Sequence, residues 1–196
     1  MPHLPPRVVR SATLSPTSRL DFCVGDVRQL SADAIVFGRS ARLRAHFESD
    51  AKGGFAPLGV AAGFPKCDVA LLQNGPPFAV VSAWYNPPDP SRNEEDVERN
   101  CLSIFLEQLL VAVVDRFSPT HLALVPFTWR FPDRQAWATI NAVRRLFAFW
   151  SGTITAGLPR RFSVIALHDI SPYEEAVAAV EGEILDTARS RRDPLA

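Results

Sequence analysis

The chain has 196 residues, a length that suits one α/β domain with a complete hydrophobic core. Hydrophobic residues make up 47% and charged residues 21% of it, which is typical of a globular protein. Its 21 basic and 21 acidic residues balance, so no charge excess favours binding to nucleic acid or to a membrane surface, and its apolar stretches are too short to span a bilayer.

The ends of the chain differ from its middle. Residues 1–18 contain several prolines and serines and no regular hydrophobic period, which predicts an extended or disordered arm. Residues 191–196 are charged and predict a frayed tail. Between them, residues 19–190 carry no linker and no internal repeat, so we expect a single domain.

The first predicted elements are two strands, a short helix and a long loop. Leu20–Val24 and Asp33–Phe37 are apolar runs of strand length, and Ala41–Glu48 fits one or two helical turns. Asp50–Lys66 contains four glycines and two prolines and predicts a loop. A loop of this length inside a small domain is often functional.

Strands and helices alternate through the rest of the domain. The predicted strands are Asp68–Gln73, Phe78–Trp84, His121–Val125 and Arg161–Leu167. The predicted helices are Asn93–Phe117, Pro132–Phe149 and Tyr173–Arg189. This alternation predicts an α/β fold, a three-layer α/β/α sandwich around a mixed central sheet.

The three cysteines indicate the compartment. Cys23, Cys67 and Cys101 are odd in number and lack the CxxC spacing of a metal site. We therefore expect no metal and no cofactor, and a reducing, cytoplasmic environment. No apolar run follows Met1, so we also expect no secretory signal.

The stretch from Gly25 to Ser40 carries a resemblance to a known family. Gly25-Asp26-Val27 is followed by the strand Ala34-Ile35-Val36-Phe37-Gly38-Arg39-Ser40. The pair is similar to the GDI motif and the AIVNAAN-like strand of macro domains, and the order of predicted elements follows that family too. The resemblance implies a macro domain-like fold with a pocket for ADP-ribose or a related nucleotide.

The same resemblance implies roles for individual residues. Asp26 would accept from the adenine amino group, with Val27 beside it; from the residues alone, Asp26 serves equally well as the cap of a turn. The asparagine that contacts the distal ribose in the family falls on Ser40, which keeps a hydroxyl but loses the amide's combined donor and acceptor. Arg39 either meets a phosphate or remains solvated.

Two segments take the place of the family's phosphate-binding loops. The first consists of Lys52, Gly53, Gly54 and Phe55, where backbone N–H groups could approach a diphosphate. The second consists of Pro126, Phe127, Thr128, Trp129 and Arg130, which lacks the family's glycines. Arg130 could bind phosphate through its side chain, while the two aromatic residues either stack on a base or fill the cleft.

Three hypotheses for function follow. The first is a module that binds ADP-ribose or a related adenine nucleotide in a degenerate pocket, with little catalysis. The second is an ADP-ribosyl hydrolase of altered mechanism, with water activated by substrate phosphate or by an acid such as Glu48 or Asp50. The third is a structural or protein-interaction domain whose pocket is filled by Phe127 and Trp129. The sequence favours nucleotide binding, with a protein partner as the other candidate.

Overall fold

A computed structural model describes the chain over residues 5–58, 66–85, 95–127, 132–150, 157–166, 169 and 171–178. Within these ranges the strands are β1 (Arg7–Ser15), β2 (Ser18–Val24), β3 (Ala34–Phe37), β4 (Ala56–Pro57), β5 (Lys66–Leu71), β6 (Ala79–Trp84), β7 (His121–Leu124) and β8 (Arg161–Ala166). The helices are α1 (Ala41–Glu48), α2 (Glu95–Phe117), α3 (Pro132–Phe149) and α4, whose described part is residues 171–178. A 3₁₀ turn covers Val27–Gln29.

The strands form one mixed sheet in the order β1-β2-β8-β7-β3-β6-β5-β4. Its centre is parallel: β2 pairs with β8, β8 with β7, β7 with β3, and β3 with β6. The outer pairs β1–β2, β5–β6 and β4–β5 are antiparallel. The two-residue strand β4 lies in the segment Asp50–Lys66 that we predicted as a loop, and a strand so short leaves no periodic signal.

Alternate residues of each central strand face opposite sides of the sheet. Phe22, Val36 and Phe162 pack in the larger apolar cluster with α2, α3 and α4. Cys23 and Ile35 pack in a smaller cluster with α1 and the 3₁₀ turn. These two helical layers around the sheet confirm the predicted α/β/α sandwich. In the part of the chain described, no helix combines the length and apolar character needed to cross a bilayer.

The edge strand β1 lies inside the segment predicted as an extended or disordered arm. It pairs with β2 from Arg7 opposite Val24 to Ser15 opposite Ser18, and is interrupted by two irregularities in register. Ser11 Oγ donates to the buried carboxylate of Asp21 over 2.6 Å. The sequence prediction missed this strand because most of its side chains are exposed, and its alternation is limited to Ser11–Ser15, where Ala12, a small residue, and Leu14 pack against the core.

His121 ties the start of β7 to two neighbouring segments. Its Nδ1 lies 3.0 Å from the Ser31 carbonyl oxygen, and its Nε2 lies 2.8 Å from Ser163 Oγ in β8. Burial lowers the pKa of His121 below its ordinary value of 6.5, and the charge of Arg161 adds to this effect. The neutral imidazole is therefore the form that the fold stabilises.

We expect this histidine to make stability depend on pH. Because the pKa of His121 is lower in the folded than in the unfolded chain, protonation favours unfolding. Neutral His121 contributes fully to the free energy of unfolding above about pH 6.5, which is its pKa in the unfolded chain. As the pH falls from there toward its pKa in the folded chain, this contribution is lost at no more than about 1.4 kcal/mol per pH unit. Urea unfolding at pH 7.5 and pH 5.5 measures the effect. His121→Gln should be less stable at pH 7.5 and show a smaller pH difference; an unchanged pH difference would contradict this role.

Candidate functional site

A cavity of about 230 Å³ opens at the carboxyl ends of β2, β8, β7 and β3. Ligands of open α/β sheets bind at such an edge, where the chain leaves neighbouring strands in different directions. Its volume of about 230 Å³ is below the roughly 300–1,000 Å³ common for small-molecule pockets. The cavity is therefore a candidate for part of a ligand of nucleotide size.

Apolar side chains form most of the cavity wall. They come from the 3₁₀ turn, the last residue of β3, the first turn of α1, the segment after β7, and β8: Val27, Phe37, Leu43, Val125, Pro126 and Ile165. Phe37 and Ile165 are buried in the cluster beneath α1, so the wall rests on packed core. Such a surface can cover the face of an aromatic base.

Asp26 and Arg28 contribute an ion pair to the cavity. Asp26 caps the 3₁₀ turn, where its Oδ1 accepts from the Arg28 backbone N–H over 3.1 Å. Arg28 Nε also donates to both carboxylate oxygens, over 2.8 and 3.0 Å, and its Nη2 donates to Oδ2. The hydrogen bond to Asp26 is the main effect that raises the pKa of Arg28. Asp26 therefore caps a turn, and its carboxylate also borders the cavity.

The N-terminus of α1 points at the same cavity. Ser40 is the N-cap, and its Oγ accepts from the Leu43 backbone N–H over 3.3 Å. Arg42, in the first helical turn, is exposed and lines the cavity. The positive end of a helix and a nearby guanidinium favour an anion.

Two glycines let neighbouring segments approach closely at the cavity rim. Gly25 has φ +146°, and a Cβ there would lie 2.7 Å from Pro6 Cα. A Cβ on Gly38 would lie 2.7 Å from Phe127 Cδ1 and 3.0 Å from Phe127 Cα. Gly38 therefore allows the segment after β7 to lie close against the end of β3.

The structure separates the first predicted phosphate loop from this cavity. The Lys52 backbone N–H donates to the Leu71 carbonyl over 3.0 Å, and Leu71 pairs with Ala79 at the start of β6. Lys52, Gly53 and Gly54 consequently lie near the amino edge of the parallel strands, beyond the other end of α1. Phe55 contacts Phe37 edge to face, with ring centroids 6.4 Å apart, but does not line the cavity.

The second predicted loop is only partly described. Pro126 lines the cavity. Phe127 instead is 5% exposed and belongs to the larger apolar cluster, where it packs against Phe105 with ring centroids 5.9 Å apart. Thr128, Trp129 and Arg130 lie outside the described residues. Arg39 is exposed and is not among the residues lining the cavity.

Sequence reasoning missed several residues of the site. Arg28, Arg42 and Leu43 line the cavity from the elements that follow β2 and β3, and Ile165 lines it from β8. The two arginines could have been found from their closeness in sequence to predicted site residues, since Arg28 comes two residues after Asp26 and Arg42 two residues after Ser40. Within the described ranges, no three His, Cys, Asp or Glu side chains group as metal ligands would.

In sequence, the chain matches no protein-family model and none of the curated proteins. In structure, it is similar to a point mutant of the macrodomain from Oceanobacillus iheyensis, with TM-score 0.57, 12% identity, and coverage of 89% of this chain and 98% of that one. The same macrodomain solved with ADP gives TM-score 0.55 and 10% identity, covering 89% and 97%.

A macrodomain from Trypanosoma brucei in complex with ADP gives TM-score 0.54 at 12% identity, covering 81% of this chain and 68% of that one. These likenesses show that the chain has the macrodomain fold. They confirm, at the level of the fold, the resemblance carried by the Gly25–Ser40 stretch.

The contact between Gly38 and Phe127 yields a stability prediction. Gly38→Ala should lower the free energy of unfolding by about 1–3 kcal/mol, because the new methyl group overlaps the Phe127 ring and backbone. Chemical denaturation measures the change. In a Phe127→Ala background the same substitution should cost less, since the ring is gone. Equal losses in the two backgrounds would contradict the proposed overlap with the ring.

Proposed function

We propose that the cavity binds ADP-ribose or a related adenine nucleotide, and that the domain is a binding module with little catalysis. The observation that carries this proposal is the composition of one cavity. Asp26, two arginines, the N-terminus of α1 and an apolar wall meet at the carboxyl ends of four parallel strands. A nucleotide offers a matching set of groups: an aromatic base, hydroxyls and phosphates.

The structural neighbours support the choice of ligand. Macrodomains from Oceanobacillus iheyensis and Trypanosoma brucei were solved with ADP. ADP contains the adenosine and the two phosphates that ADP-ribose also carries. The chain shares their fold, and its cavity lies at the sheet edge where α/β folds commonly hold nucleotides.

Phosphate binding would rest on side chains rather than on glycine-rich backbone. Gly53 and Gly54 lie near the opposite edge of the sheet, so they do not reach the cavity. Arg42 lines it instead, in the first turn of α1. Guanidinium groups can hold phosphate through paired hydrogen bonds, which makes them chemically suited to replace backbone N–H donors.

The geometry favours binding over hydrolysis. Among the described residues that line the cavity, Asp26 is the one carboxylate, and Arg28 engages both of its oxygens. Glu48 is the last residue of α1, and Asp50 comes two residues after it. Glu48 lies about 12 Å along the helix from Ser40. A base for water activation is therefore missing from the described wall.

The interaction hypothesis required Phe127 and Trp129 to fill the cavity, and Trp129 lies outside the described residues. Phe127 packs in the core on the other side of Gly38, and the described cavity is open. The position of Phe127 supports a ligand over a closed pocket. We further propose a cytoplasmic location, which three free cysteines support.

Isothermal titration calorimetry with ADP-ribose tests the proposal directly. We expect one site per chain with micromolar affinity, because side-chain contacts replace those that the family makes with backbone. Incubation of the complex followed by chromatography should recover ADP-ribose unchanged. A folded protein that gives no heat with ADP-ribose, ADP or AMP would refute nucleotide binding.

A matched pair of arginine variants tests whether this cavity is the site. Arg42→Glu should weaken ADP-ribose binding about tenfold, because it places a negative charge beside the phosphates. Arg39→Glu makes the same charge change at an exposed position that does not line the cavity, and should change the affinity by less than about twofold. Equal effects would indicate general charge attraction and would contradict the assignment of the site to this cavity.

A further inference from the structure

We propose that Arg28 masks Asp26, so that the cavity accepts purine nucleoside diphosphates without selecting for the 6-amino group that distinguishes adenine. The inference rests on the proposed nucleotide site and concerns which nucleotides that site prefers. Arg28 would thus be a residue that determines specificity.

The masking contact is extensive. Oδ1 of Asp26 accepts from the Arg28 backbone N–H and from its Nε, while Oδ2 accepts from Nε and Nη2. Both side chains are largely buried, with 10% of Asp26 and 16% of Arg28 exposed. A ligand that used this carboxylate would have to share or displace these donors.

Arg28 and an adenine amino group would compete as hydrogen-bond donors to the Asp26 carboxylate, and the arginine is favoured. A guanidinium–carboxylate pair is charge-assisted and engages two oxygens in one plane, whereas an adenine amino group is a neutral donor. The arginine stands two residues from its partner in a 3₁₀ turn, so the pair forms with little loss of chain entropy. The amino group therefore gains little by approaching Asp26.

Among the described residues of the cavity wall, the apolar side chains do not distinguish the exocyclic groups of a base. Val27, Phe37 and Ile165 present apolar surface to the cavity, and such surface covers the face of any purine equally well. Binding would then depend on base area and on phosphate charge. The ligand class broadens from adenine nucleotides to purine nucleotides in general.

A ligand pair that differs only in the amino group tests the masking. The probes are ADP and purine riboside 5′-diphosphate, which lacks the 6-amino group. The quantity measured by calorimetry is the ratio of the Kd of purine riboside 5′-diphosphate to that of ADP. Any effect of a variant on phosphate binding cancels in this ratio, as in a double-mutant cycle.

Four proteins make the comparison: the wild type, Arg28→Met, Arg28→Met with Asp26→Ala, and Arg42→Met. We expect a ratio near one in the wild type and about ten in Arg28→Met, where the carboxylate becomes available to the amino group. In the double variant the ratio should return to about one. Arg42→Met, which removes a cavity arginine that makes no contact with Asp26 in the structure, should leave the ratio near one while weakening both ligands.

Each outcome decides the matter. A wild-type ratio near ten, or a ratio that stays near one in Arg28→Met, would overturn the masking while leaving nucleotide binding intact. Failure of all four folded proteins to bind either nucleotide would instead refute the proposed function. If the double variant does not fold, as thermal melting would reveal, Arg28→Met and Arg42→Met alone still separate these outcomes.

Discussion

The insertion of β7 and β8 between β2 and β3 determines where the candidate site can form. β2 and β3 are consecutive central strands along the chain, yet two later strands lie between them in the sheet. With strands about 4.8 Å apart, the ends of β2 and β3 are separated by roughly 14 Å. Asp26 and Ser40 follow those two ends, and Ile165 and Val125 close the floor between them. The cavity occupies the gap between the ends of β2 and β3.

Asp26 serves the fold and the candidate site with the same two oxygens. As a cap it accepts from the Arg28 backbone N–H in the 3₁₀ turn, and as a partner of the Arg28 side chain it neutralises a largely buried guanidinium. Both oxygens of this carboxylate are therefore already hydrogen-bonded within the fold.

Much of the fold could be predicted from local sequence, because its central elements have strong local signals. Helix α3 has the predicted bounds, Pro132–Phe149, since proline favours a first helical turn and the apolar period is regular. The central strands β3 and β7 are apolar runs that are buried throughout. The exposed strand β1 offered no such pattern, and its pairing with β2 depends on tertiary contacts.

The candidate site could be predicted only in part. Four of the predicted residues line the cavity: Asp26, Val27, Ser40 and Pro126. They could be predicted because each follows the end of a strand, and strand ends can be located from sequence. Gly53 and Gly54 could be recognised as a turn, and both have positive φ, but local sequence does not reveal which edge of a sheet a turn occupies. The eight residues of α1 carry the chain away from the cavity before that turn forms. The Arg28 contact depends on side-chain packing that spacing alone does not specify.

The contact between Gly38 and Phe127 also constrains how this protein can change over time. The two residues are 89 positions apart in sequence, from 127 minus 38, yet each limits the volume available to the other. A methyl group at position 38 overlaps the ring and the backbone of Phe127, and a smaller residue at position 127 removes only the overlap with the ring. Shrinking the buried Phe127 alone leaves a void in the core, so each single substitution is destabilising and we expect the pair to cost less than the sum of the two. This epistasis links the rim of the cavity to the core beneath α2.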